Sequence, residues 1–105
     1  MKNSYKNLQI RLWLNDKDSK KQEVWILDAY KIVNNLLIKY FWIGTISESY
    51  WVYTHDDWEI VQEKTLVIDL YTDKDYYEFV DTLKAIFNQE SIMVLIQEKP
   101  KVEFL

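Results

Sequence analysis

A chain of 105 residues, 49% hydrophobic and 29% charged, suits one domain with a single core and is not of disordered composition. With no cysteine, one histidine and one glycine, it has no disulfides, thiolate metal sites or cysteine nucleophiles. The net charge of −4 is unevenly spread. Residues 1–43 hold eight Lys/Arg against four Asp/Glu, and residues 44–105 hold five against thirteen. The basic stripe that tracks phosphates is missing, so direct nucleic-acid binding is disfavoured.

The first element is a strand over about Tyr5–Leu14, where Leu8, Ile10, Leu12 and Leu14 alternate with Gln9, Arg11 and Trp13. The polar run 15–22 is a loop. A helix is expected from Leu27 or Asp28 to Tyr40. Its Ala29, Ile32, Val33, Leu36, Leu37 and Tyr40 form one stripe, with Asp28 and Lys39 at the ends that suit the helix dipole. Gly44 follows and is the residue free to take a positive φ. A long antiparallel hairpin comes next, with strands over about 45–54 and 58–71 and a turn near Thr54-His55-Asp56-Asp57. Gln62 and Lys64 interrupt the second strand's apolar row, so its first half projects beyond the core. Thr72 or Asp73 is expected to cap a second helix, whose stripe is Tyr76, Phe79, Val80, Leu83, Ile86 and Phe87. A last strand over 91–97 precedes Pro100 and a short tail.

The order β-α-β-β-α-β predicts an α+β, ferredoxin-like domain spanning residues 1–105, with a four-stranded antiparallel sheet and both helices on one face. Alternation then puts Arg11, Trp13, Trp51, Tyr53, Val67, Tyr71, Met93 and Leu95 on the open face. These residue types are enriched at interface centres. Sheet-to-sheet homodimerisation, docking to another protein and coverage by the tail are all compatible with this face. Base stacking, as on RNA-binding sheets, is disfavoured because Asp69 and Glu63 share the face with one arginine.

The tip His55-Asp56-Asp57-Trp58-Glu59 is a weak metal motif, because neighbours on a strand point apart, and it is taken as a solvated turn. Trp58 stands where a turn would favour glycine and suggests a contact tip. No phosphate loop, thiol or histidine pair is present, so the sequence gives little support to catalysis. No metal or cofactor is expected, and no apolar run is long enough to span a bilayer.

Three stretches, 14–23, 28–41 and 59–73 with 87–94, resemble small uncharacterised proteins of Firmicutes and their mobile elements. That resemblance implies a ferredoxin-like fold and a bacterial cytoplasmic setting. It also implies that Trp13, Trp51 and Trp58 replace glycines, and that a Ser/Thr helix cap near Trp25-Ile26 is lost, in adaptation to a partner surface. The small, acidic, cysteine-free character is similar to that of type II anti-CRISPR proteins, which bind Cas9. It implies a non-catalytic inhibitor that contacts Cas9 or its guide-RNA complex. Glu48, Asp56, Asp57, Glu59 and Glu63 would supply charge, and Trp51, Tyr53 and Trp58 contact area. The alternative is a homodimeric ligand-binding or accessory module using the open face. A third reading is an enzyme with a carboxylate-based site, for which no spacing in the sequence singles out a residue.

Overall fold

The computed structural model describes residues 5–54, 56–98 and 100–105. Its elements are β1 (Lys6–Trp13), α1 (Ile26–Tyr40), β2 (Thr45–Thr54), β3 (Ile60–Thr72), α2 (Tyr77–Ile86) and β4 (Met93–Glu98). The sheet is antiparallel in the order β2-β3-β1-β4, which is the expected ferredoxin-like arrangement. Among the described residues no helix is long and apolar enough to cross a membrane.

Period-two alternation sends Leu8, Ile10 and Leu12 to the helix face opposite Leu70, Ile68 and Leu66. These six meet Ala29, Val33 and Leu37 of α1 and Phe79 and Leu83 of α2 in one buried cluster. Phe79 sits edge-on to Phe41 at 5.1 Å and to Tyr40 at 5.9 Å, the offset geometry that ring quadrupoles favour. The helices cover β3 only from about Leu66 onward. Further out, Tyr50, Val52 and Ile60 on the same face are exposed, so the β2–β3 hairpin projects as a two-stranded ribbon and the molecule measures 49 × 27 × 26 Å.

Three local expectations are corrected. Gly44 does not hold a left-handed conformation. That role falls to Trp42 at φ 67°, whose N–H, like that of Phe41, donates to the Leu37 carbonyl. Glycine is needed at 44 for space, because a Cβ there would lie 3.0 Å from Leu37 Cδ2 and from Leu70 Cδ2. The second helix starts at Tyr77, later than Thr72 or Asp73 would cap it. Thr72 is still in β3, its hydroxyl accepts the Lys74 N–H, and Asp75 takes the Tyr77 N–H at 2.8 Å. The first helix starts at Ile26 behind Trp25, which makes no side-chain cap bond.

Candidate functional site

The open face is where β1 runs out. β1 ends at Trp13, paired with Thr65, while β3 continues outward through Glu63 and Val61 beside Trp51 and Tyr53 of β2. Leu14 still donates to the Lys64 carbonyl at 3.0 Å, and Asn15 then reaches Glu63, its N–H donating to Oε1 at 3.0 Å. The space left beyond the end of β1 is a cavity of about 340 Å³. It is lined by Trp13, Tyr53, Val61 and Glu63 on the sheet, by residues 15–17 and Lys20 of the first loop, and by Gln89, Glu90 and Ser91 after α2. This volume suits a small molecule.

The aromatic wall is fixed by packing. Trp13 and Trp51 meet edge to face, centroids 5.3 Å apart and planes at 70°, and both are half-buried. The Trp13 Nε1–H is buried and has no hydrogen-bond partner among the described residues, an uncommon state for a buried donor. Burial pushes the Glu63 carboxyl above its ordinary value of 4.5, while the Asn15 N–H and the charge of Lys20 pull in the opposite direction. A carboxylate partly stripped of water beside aromatic rings is suited to a cationic ligand.

The far wall is a clamped loop. The Asp16 carboxylate accepts the N–H groups of Asp18 and Ser19. Asn88 Nδ2 donates to both Asp16 oxygens, at 3.0 and 2.9 Å, and to Asp18 at 2.9 Å. These donors hold the Asp16 carboxyl below the ordinary carboxylate range, the Asn88 amide most strongly. Lys17 N–H donates to the Asn88 carbonyl, and Gln89 Nε2 to the Asn15 carbonyl at 2.7 Å. An Asn15–Gln22 bridge closes the loop base.

Of the residues expected at a site, Trp13, Tyr53 and Glu63 line the cleft and Trp51 buttresses it. Glu48 is not part of the cleft. It pairs with Leu66 and therefore lies on the helix face, where with burial it raises the Tyr30 phenol. Asp56, Asp57, Trp58 and Glu59 are exposed at the hairpin tip, beyond the cleft, with Glu59 N–H donating to Asp57. Arg11, Val67, Tyr71, Met93 and Leu95 do share the open face, but none of them lines this cleft. Arg11 donates to Gln9, which donates to Asp69, and Tyr71 stacks on Tyr5 at 4.9 Å. His55 lies outside the described residues, and no group of three or more metal-ligating side chains gathers among those described. The sequence reading did not single out Asn15, Asp16, Lys17, Lys20, Asn88, Gln89 and Glu90, because it took 15–22 as a loop and 88–90 as the end of the second helix, and neither stretch carries a local sign that the two meet.

No protein-family model matches the chain, and no curated protein does. Two solved structures share its fold. A phage SAM lyase in complex with S-methyl-5'-thioadenosine superposes with a TM-score of 0.62 at 21% identity, covering 92% of this chain and 83% of that one. A phage SAM lyase in the apo state gives 0.64 at 22%, covering 93% and 82%. These matches correct the expectation of a non-catalytic, Cas9-directed anti-CRISPR inhibitor. Both of these structures, which share the fold over nine-tenths of the chain, are of a SAM lyase and not of an inhibitor of a protein.

Proposed function

We propose that this chain binds S-adenosylmethionine in the cleft at the end of β1 and splits it, releasing S-methyl-5'-thioadenosine. The observation that carries the proposal is Glu63, a partly desolvated carboxylate set beside Trp13 and Tyr53 in a cavity of small-molecule size. The substrate is the one named for the two solved structures of this fold, which supports the reading. The substrate's sulfonium is a permanent cation. Aromatic faces and a carboxylate attract such a cation without needing a metal or a titrating partner. The adenine ring has a flat apolar face that suits the indole and phenol walls.

Release of the thioether breaks the bond between sulfur and the γ-carbon, and the electron pair stays on sulfur. The substrate's own carboxylate oxygen closes on the γ-carbon, so the four-carbon remainder leaves as a lactone. No water enters and no proton is left over. Charge disappears from sulfur as the bond breaks, which a water-poor aromatic cleft favours. Glu63 faces the sulfonium and holds it in register with the closing oxygen.

The purified chain should convert S-adenosylmethionine to S-methyl-5'-thioadenosine, followed by chromatography at 260 nm. Glu63→Gln, which keeps the shape and removes the charge, should lower the rate by about a hundredfold or more. A wild-type chain that neither converts nor binds S-adenosylmethionine would overturn the proposal, as would a Glu63→Gln variant of undiminished rate.

A further inference from the structure

The cleft is chemically lopsided. Its sheet side carries rings and Glu63, and its loop side carries Lys17 and Lys20. The loop backbone that carries these two exposed lysines is tied down from both directions. Asn15 ties it to Glu63 of β3, and Asn88 and Gln89 tie it to the segment after α2. Lys20 sits at φ 63°, a left-handed conformation that a non-glycine residue adopts only where its surroundings enforce it. Here its own N–H donates to the Asp16 carbonyl and the Lys21 carbonyl accepts the Asp16 N–H. Asp16 directs its hydrogen-bonding capacity to Asn88 and two backbone N–H groups. Lys17 feels its charge and Lys20 that of Glu63, but neither acid closes an ion pair with them among the described residues. Glu63 and Glu90 are the remaining acids of the cleft.

Resting on the reading of the cleft just given, we infer that Lys17 and Lys20 receive the carboxylate of the substrate's amino-acid end, with the adenosine end against Trp13 and Tyr53. A carboxylate next to two mobile ammonium groups gains charge-assisted hydrogen bonds. The opposite orientation would put it against Glu63 and leave the lysines facing a neutral ring. Glu90 has the right sign for the substrate's ammonium. Lys17 and Lys20 are positioning residues in this scheme: they fix the attacking oxygen and the length of ligand that fits.

The test compares ligands with and without that carboxylate. The double variant Lys17→Gln/Lys20→Asn keeps polarity, and asparagine tolerates the left-handed backbone at 20. Its melting temperature is measured first, with the single variant Lys17→Gln as a milder fallback. The KM for S-adenosylmethionine should rise about tenfold or more, while inhibition constants for S-methyl-5'-thioadenosine and decarboxylated S-adenosylmethionine should stay within roughly twofold. If all three constants rise together, the lysines only hold the loop and the inference is overturned. It is equally overturned if none changes. In either case a wild-type enzyme that cleaves its substrate leaves the reading of the cleft intact. A wild-type chain that binds neither sulfonium fails at that earlier step, and the inference falls with it.

Discussion

Replacing Gly44 by alanine sets two known effects against each other, and the structure decides the sign. Glycine at 44 has no positive φ, so alanine suffers no backbone strain and gains about 0.4–1 kcal/mol by narrowing the unfolded ensemble. The added methyl would lie 3.0 Å from Leu37 Cδ2, 3.0 Å from Leu70 Cδ2 and 3.2 Å from Leu37 Cδ1. Carbon atoms pack at about 3.5–4.0 Å. Both leucines are buried, at 4% and 2% exposure, so neither can swing into solvent. Overpacking of this kind costs about 1–3 kcal/mol, and crowding wins by about 1 kcal/mol. For a domain of this size that lowers Tm by about 4–8 °C per kcal/mol, read by thermal circular dichroism. In a Leu37→Ala background the same methyl enters vacated space, so its effect should shrink or change sign. An unchanged or raised Tm for Gly44→Ala in the wild-type background would refute the close approach.

The remaining predictions concern the core, the tip and the cleft. Phe79→Ala removes the ring on which Tyr40 and Phe41 converge and should cost about 3–5 kcal/mol in urea unfolding. Trp58 is 83% exposed at φ 64°. Trp58→Gly removes a left-handed penalty of about 1–2 kcal/mol and adds unfolded-state entropy worth about 0.5–1, so the urea midpoint should rise slightly. The folded pKa of Asp16 is depressed, so its contribution is present above about 3.8, its unfolded value, and is lost as pH falls through the lower folded value. Asn88→Ala removes the principal cause and should move the acid-unfolding midpoint to higher pH. Glu63 has the opposite sign: its folded pKa is raised above 4.5, so ionisation destabilises the fold as pH rises from 4.5 through the folded value. Glu63→Gln should therefore be more stable than wild type at neutral pH while losing the proposed cleavage, and a less stable variant would contradict the desolvation on which the site depends.

The elements were legible because each carried its own period: Leu8, Ile10 and Leu12 on a strand, Ala29, Val33 and Leu37 on a helix. The open-face rings were legible for the same reason, and Trp13, Trp51 and Tyr53 do share a face. Glu48, expected for its charge, lies on the opposite face from those rings, because one residue of register moves a side chain through the sheet. The left-handed turn residues Lys20, Trp42, Trp58 and Asn88 were hidden for a different reason. A helix-end hydrogen bond to Leu37 holds Trp42, and tertiary bonds to Asp16 and Asp18 hold Asn88, in conformations that their own preferences do not announce. The Asn88–Asp16 clamp joins residues 72 apart in the chain, and no local pattern announces it.

The carboxylate proposed to face the sulfonium is one that charge counting does not single out. Thirteen acids lie in residues 44–105, and as a group they suggest a surface that repels phosphate and attracts basic partners. Only Glu63 among them is both resolved as raised by burial and placed in the cleft. Its position follows from a mismatch in strand length. β3 has 13 residues and β1 has eight, so the outer part of β3 loses its neighbour on one side. At Thr65 the neighbour Trp13 is present and the residue is buried; at Glu63 it is replaced by the Asn15 N–H; at Val61 there is only the ribbon. Glu63 thus stands at the last row where the sheet still excludes water and the first where a ligand can enter. A carboxylate one row inward would be sealed in the packed sheet, and one row outward it would be solvated like those at the tip. The strand-length difference, which the hairpin's interrupted apolar row already hinted at, is what opens the cleft at the end of β1.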